Sequence, residues 1–274
     1  MHYVVSDVHG QVGPLAAALR HANLVDSGQD WCGGHARLTF LGDYFDRGPD
    51  GIGVVDLIRR LQDQCGAAGG RVDALIGNHE ILALGMNRFG GEHVPSGLWS
   101  RRSFGRSWAM NGGQARDQRG LTDEHIEWLT DLDAVVLAGS DLLVHSDTTE
   151  YTRWGDTTEQ INGAVREVLA GDDLEQWWQC WVRLTSRYAF AGVDGEEVAG
   201  ALLDRLGGER VVHGHSVVAT FTGQDPSRVT GPLSYAGGRV LAIDGGVYGG
   251  GPCLVVRLDP DPEADPDTDL KHRS

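Results

Sequence analysis

Each early apolar run in this chain ends in side chains that can hold a proton or a metal ion. Residues 3–6, 38–42, 72–77, 134–145 and 211–214 are short, apolar and rich in β-branched side chains, the pattern of strands buried on both faces. The first leads into Ser6-Asp7-Val8-His9-Gly10 and the second into Gly42-Asp43-Tyr44-Phe45-Asp46-Arg47-Gly48. The third leads into Gly77-Asn78-His79-Glu80, and the later ones deliver His145-Ser146-Asp147 and His213-Gly214-His215-Ser216. Two further runs, 240–243 and 253–258, complete the set of predicted strands.

Helical patterns lie between the early runs. Residues 14–24 begin with a proline suited to a first turn, and Asp50 can cap a helix whose Val54, Ile58 and Leu61 share a face. The order β-α-β-α-β indicates an α/β core. Gly139-Ser140, set between apolar halves, predicts a tight hairpin, so the sheets should be mixed rather than purely parallel. Ligands of open α/β sheets gather at the carboxyl ends of strands, so the five loops are expected to converge on one crevice. In an extended segment Asp7 and His9 would point to the same side, two residues apart.

The charge balance narrows the partners. Lys+Arg number 23 against 39 Asp+Glu, a formal charge of −16, which disfavours binding to a nucleic-acid backbone. Residues 259–274 hold six acids, two bases and three prolines and read as a disordered acidic tail, yet the remaining 258 residues still carry −12. No run approaches the ~18 apolar residues of a membrane helix, and no basic-then-apolar leader opens the chain, so a cytoplasmic protein without a membrane partner is expected. Cys32, Cys65, Cys180 and Cys253 are scattered without a C-x-x-C pair and fit reduced thiols.

Carboxylates, imidazoles and an amide, with no thiolate among them, suit a first-row cation such as Mn, Fe or Zn. These residues also carry a resemblance. Ser6–Gly10, Gly42–Gly48, Gly77–Glu80, His145 and Gly214-His215 are similar, in order and spacing over about residues 4–246, to the motifs of the calcineurin-like metallophosphoesterases, specifically their serine/threonine phosphoprotein phosphatase branch. The resemblance implies a β-sandwich of two mixed sheets flanked by helices, forming one catalytic domain over residues 1–258 with insertions at about 85–120 and 148–206. It implies two transition-metal ions, one held by Asp7, His9 and Asp43, the other by Asp43, Asn78, His145 and His215, with Asp43 bridging. His79 corresponds to the general acid, Asp46 to the carboxylate that orients it, and Arg47 to a phosphate clamp. The implied reaction is hydrolysis of phosphoric monoesters by a metal-activated hydroxide, on a phosphoprotein (Ser/Thr or Tyr) or small phosphoester.

General chemistry agrees with those roles. Two cations ~3.5–4 Å apart acidify water and neutralise charge during in-line attack. Histidine can protonate a leaving alkoxide near neutral pH, and guanidinium grips phosphate with two parallel bonds that lysine cannot reproduce. A second phosphate-binding arginine is expected between the late histidines. Arg183, in Trp181-Val182-Arg183, is favoured over Arg187.

Some positions depart from the family pattern. Ser6 replaces a glycine. Ser146-Asp147 replaces a small pair, which brings either an extra carboxylate or a turn-capping one. His213 is expected behind the ligands rather than among them, and Asp244 is expected to be structural. Residues 85–120 carry Arg88, Arg101, Arg102, Arg106, Arg116 and Arg119 against Glu92 and Asp117, with Trp99, Phe104 and Trp108 between them. That basic island could steer an anionic substrate or be a solvated face. Hydrolysis of a dinucleoside polyphosphate remains a rival activity, and a catalytically inactive phosphate-binding module a rival of another class.

Overall fold

The computed structural model describes residues 1–95 and 102–258. Trp99, Arg101 and the acidic stretch 259–274 lie outside the described residues.

The chain begins β1 (His2–Val5), α1 (Val12–His21), β2 (Arg37–Phe40), α2 (Gly51–Cys65), β3 (Arg71–Ala74) and α3 (Asn78–Phe89). β1, β2 and β3 pair in parallel, and a late strand, β9 (Val256–Arg257), adds antiparallel to β1, giving the order β3-β2-β1-β9. Asp50 caps α2 as expected, its carboxylate accepting from the Gly53 N–H at 3.1 Å. α1 stops at His21 rather than running to Leu24, because Asn23 adopts a left-handed conformation (φ 55°), which asparagine tolerates better than most residues.

Three short helices follow, α4 (Phe104–Met110), α5 (Ala115–Gly120) and α6 (Asp123–Thr130). The chain then enters the second sheet through the hairpin of β4 (Val135–Ala138) and β5 (Asp141–Val144), in which Ala138 faces Asp141 across Gly139 and Ser140. Helices α7 (Thr158–Ala170), α8 (Leu174–Thr185) and α9 (Gly195–Leu206) precede β6 (Arg210–His213), α10 (Val218–Thr222), β7 (Leu233–Tyr235) and β8 (Val240–Ala242). The second sheet has the order β4-β5-β6-β8-β7, with β5, β6 and β8 parallel. β7 has only three residues, Leu-Ser-Tyr, too short to leave a periodic signal.

The two sheets face each other. Val4, Leu41, Leu75, Leu143, Val212, Leu241 and Ile243 form the apolar layer between them. The alternate residues Val5, Leu38, Leu142, Val144 and Val211 turn outward under the helices, which is why these strands read as unbroken apolar runs. The insertions are largely helical and pack on one another. Phe104 of α4 lies edge-on to Trp178 of α8 at 5.2 Å between ring centroids, and Trp178 meets Trp181 at 4.8 Å. All four cysteines are free thiols. Among the described residues no helix is long and apolar enough to cross a membrane.

Candidate metal centre

The loops after β1, β2, β3, β5 and β6 do meet, but they come from two facing sheets rather than one open sheet. Their backbone also departs from the extended form expected for Asp7-Val8-His9. Asp7 (φ 52°), His9 (45°), Asp43 (58°), Asp46 (67°), Arg47 (63°) and His215 (64°) are all left-handed. Each such residue costs about 1–2 kcal/mol, and it persists because the surroundings fix it. The first loop is laced to the second by His9 N–H to the Asp43 carbonyl (2.9 Å) and Gly10 N–H to the Tyr44 carbonyl (2.7 Å). Gly42 (φ 106°) is held to glycine, since a Cβ there would meet the Gly77 backbone nitrogen at 2.6 Å and the His145 ring at 3.0 Å.

Asp43 stands at the centre and is 1% exposed. Two sets of donor atoms share it: His9, Asp43 and His79, and Asp43, His145 and His215, each set lying within 4.8 Å. His9 Nδ1 faces the Phe45 carbonyl at 2.8 Å, and His145 Nδ1 faces the Leu41 carbonyl at 2.9 Å. Those carbonyls fix Nδ1 as the protonated nitrogen and leave Nε2 as the lone-pair donor. His9 Nε2 then lies 3.7 Å from Asp43 Oδ2, and His145 Nε2 lies 3.2 Å from Asp43 Oδ1 and 2.9 Å from Asn78 Oδ1. His215 uses the other nitrogen, its Nε2 lying 3.1 Å from the Thr185 carbonyl, so Nδ1 is free.

Burial and the neighbouring charge of Asp7 and Glu80 push the Asp43 carboxyl well above the usual range. Burial holds His9, His79, His145 and His215 below the usual imidazole value, with the Arg47 charge acting further on His79. Neutral imidazoles beside crowded carboxylates are what a metal would need, and the donor set fits one.

Asp7 falls outside both sets. Its Oδ2 accepts from His215 N–H at 2.8 Å and from the Ser6 hydroxyl. His79, expected as a proton donor, sits within the first set, with Nε2 4.0 Å from Asp43 Oδ2. Its Nδ1 is 2.7 Å from Asp46 Oδ2, and burial pushes the Asp46 carboxyl up to about 7. Arg47 reaches both rings, with Nη1 at 3.0 Å from His9 Nε2 and Nη2 at 3.1 Å from His79 Nε2. Its guanidinium lies 4.3 Å over the ring of Tyr248, and its N–H is held by the Gly112 carbonyl at 2.8 Å.

Arg183 is turned to Glu150 (3.9 Å) and stacks 5.4 Å over Trp154. The Arg187 charge also bears on His79, His145 and His215, after that of Arg47 in the case of His79, so Arg183 and Arg187 both stand as candidates for the second phosphate contact. His213 stands behind the centre, its Nε2 at 2.8 Å from the Tyr235 hydroxyl. Asp244 Oδ1 accepts from Gly246 N–H at 2.7 Å and shapes the rim.

Sequence reasoning gave Glu80 no role of its own. It is fully buried, and its carboxylate accepts backbone N–H groups from Asp43 (2.8 Å), Tyr44 (2.7 Å) and Gly77 (2.8 Å), pinning the second loop to the third. The available signal was a carboxylate three residues into a helix, the reciprocal half of a capping box. Tyr248 was also missed, because only folding brings its glycine-rich loop to Arg47.

A two-sheet α/β sandwich with buried imidazoles and carboxylates meeting at its strand ends defines a metal-centred hydrolase scaffold. Residues 3–219 match the calcineurin-like phosphoesterase family, and the chain belongs to it. Shewanella-like protein phosphatase 2 of Arabidopsis thaliana is 32% identical over 80 residues, 29% of this chain and 20% of that protein. The symmetrical bis(5'-nucleosyl)-tetraphosphatase of Ralstonia nicotianae is 29% identical over 136 residues, 49% of this chain and 41% of that one. The aligned stretches span less than half the length of these relatives. A cold-active protein tyrosine phosphatase structure superposes with a TM-score of 0.69 at 21% identity, covering 93% of this chain and 72% of that one.

Proposed function

We propose that the protein is a metal-dependent phosphoric monoester hydrolase acting on phosphoproteins, with a dinuclear centre bridged by Asp43. The observation that carries this reading is that one buried carboxylate belongs to both sets of metal-capable donors. Asp7, His9 and Asp43 would hold one cation, and Asp43, Asn78, His145 and His215 the other. Two cations there would acidify a water and offset the negative charge of the reacting phosphate.

The chain's own groups supply the rest. Arg47 and Arg187 would grip phosphate oxygens, with Arg47 leaving the two imidazoles it now touches. His79, held by Asp46 through Nδ1, would take up a proton from water at Nε2 once Arg47 has left that atom, and pass it to the leaving oxygen. Mn, Fe and Zn all suit this oxygen–nitrogen donor set.

Elemental analysis with a p-nitrophenyl phosphate assay tests the reading. Two equivalents of transition metal and hydrolysis abolished by Asp43→Asn are expected. Activity that survives full metal removal would overturn it. Hydrolysis of a dinucleoside polyphosphate is a second reading, supported by the Ralstonia relative. Comparing phosphopeptide and dinucleoside tetraphosphate turnover separates the two.

A further inference from the structure

The carboxylate at Asp147, two residues past His145, is fully buried, and its bonds reach two other segments of the site. Its Oδ2 accepts from Tyr188 N–H at 2.8 Å, and its Oδ1 accepts from the Ser216 hydroxyl at 2.7 Å. Its carbonyl takes a further N–H, from Ala189, at 3.0 Å. Tyr188 directly follows Arg187, and Ser216 directly follows His215. After α8 ends at Thr185 the chain passes through half-buried Ser186 to exposed Arg187 and Tyr188, and Tyr188 is left-handed (φ 66°) and 41% exposed. Its ring meets Phe221 edge-on at 5.7 Å between centroids. This strip is tied to the site by the Thr185 carbonyl against His215 at one end and the Tyr188 amide on Asp147 at the other.

We propose that Asp147 is a positioning residue that sets Arg187 against the substrate phosphate and His215 against the second cation. This rests on the phosphatase reading given above. A buried carboxylate held by neutral donors carries a desolvation cost, so a residue that only filled the turn would be better served by an apolar or small side chain. What a carboxylate does that such residues cannot is accept at two points at once, from segments that meet only in the folded state. An amide retains most of this: its oxygen can accept from Tyr188 N–H while the Ser216 hydroxyl reverses and accepts from the amide NH₂.

The test measures binding of inorganic phosphate to the Mn2+-loaded protein by calorimetry, with metal content by elemental analysis. Asp147→Ala is expected to weaken phosphate binding about tenfold and to lower metal content below two equivalents. Asp147→Asn should stay within about threefold of the parent. In a double-mutant cycle, Asp147→Ala should add little once Arg187 is already alanine, because both changes remove one interaction. If Asp147→Ala does not fold, Asp147→Ser, too short to reach either partner, takes its place. A purely structural Asp147 would lower thermal stability while leaving phosphate affinity unchanged, or would give fully additive losses with Arg187→Ala; either result overturns the proposal. A parent protein that binds Mn2+ and phosphate yet hydrolyses nothing would remove the phosphatase reading, while the cycle would still decide the role of Asp147.

Discussion

Replacing Asp46 by asparagine exchanges one carboxylate oxygen for an NH₂ group and should separate proton delivery from metal binding. Asp46 is fully buried, with Oδ2 at 2.7 Å from His79 Nδ1 and Oδ1 without a hydrogen-bond partner, turned toward the Trp108 side chain and the Gln114 backbone. Every neighbour is a donor, and asparagine has one accepting oxygen. If that oxygen faces His79, the NH₂ confronts Trp108 and Gln114; if it faces them, His79 loses its acceptor and the proton shifts to Nε2 or the ring turns. An unpaired buried donor costs about 1–3 kcal/mol of stability in either case. Proton transfer by a positioned side chain contributes roughly 10²–10⁴ in rate, and Asp46 acts through His79, so a loss of about 10²-fold is expected, near 2.7 kcal/mol. The assay is kcat on a series of phosphate esters with leaving groups of rising basicity, in the metal-loaded variant. The loss should be about 100-fold for an alkyl ester and only a few-fold for p-nitrophenyl phosphate, with two equivalents of metal retained. An equal loss across the series would refute the reasoning.

Arg47→Lys should raise the inhibition constant for inorganic phosphate about tenfold despite keeping the charge, because the paired N–H geometry is lost; competitive inhibition kinetics checks this. Glu80→Ala should destabilise the protein by several kcal/mol, since it strands three backbone N–H groups between the second and third loops, and chemical denaturation measures the loss. Adding Mn2+ to the metal-stripped protein near pH 7 should release protons. Burial raises the Asp43 carboxyl above its usual range and pushes those of Asp46 and Glu80 up to about 7, so the last two are partly protonated near pH 7 and a nearby cation drives those protons off. Calorimetry in buffers of different ionisation enthalpy reads the number released, and zero would contradict the expectation.

The sequence disclosed the strands bearing the site because each is apolar on both faces and stops at a polar loop. The Asp50 cap and the turn at Gly139 were legible for the same local reason. The division into two sheets was not a local property; it reached the sequence reading only through family resemblance. The geometry around Asp7 and His9 was also hidden, because residue type alone does not reveal a left-handed backbone at a non-glycine position. Arg183 and Arg187 are not separable by residue type because both stand near the end of α8, and which one reaches the histidines depends on how that helix packs. Asp147 looked like a turn residue because its partners lie 41 and 69 positions away.

The left-handed backbone at six charged or ionisable positions of the site carries an evolutionary liability. Glycine relieves that strain at each of them, so a laboratory screen rewarding heat tolerance alone would drift toward inert proteins that melt later. Breeding a robust version of this molecule therefore means strengthening the helices and leaving the uncomfortable corners alone.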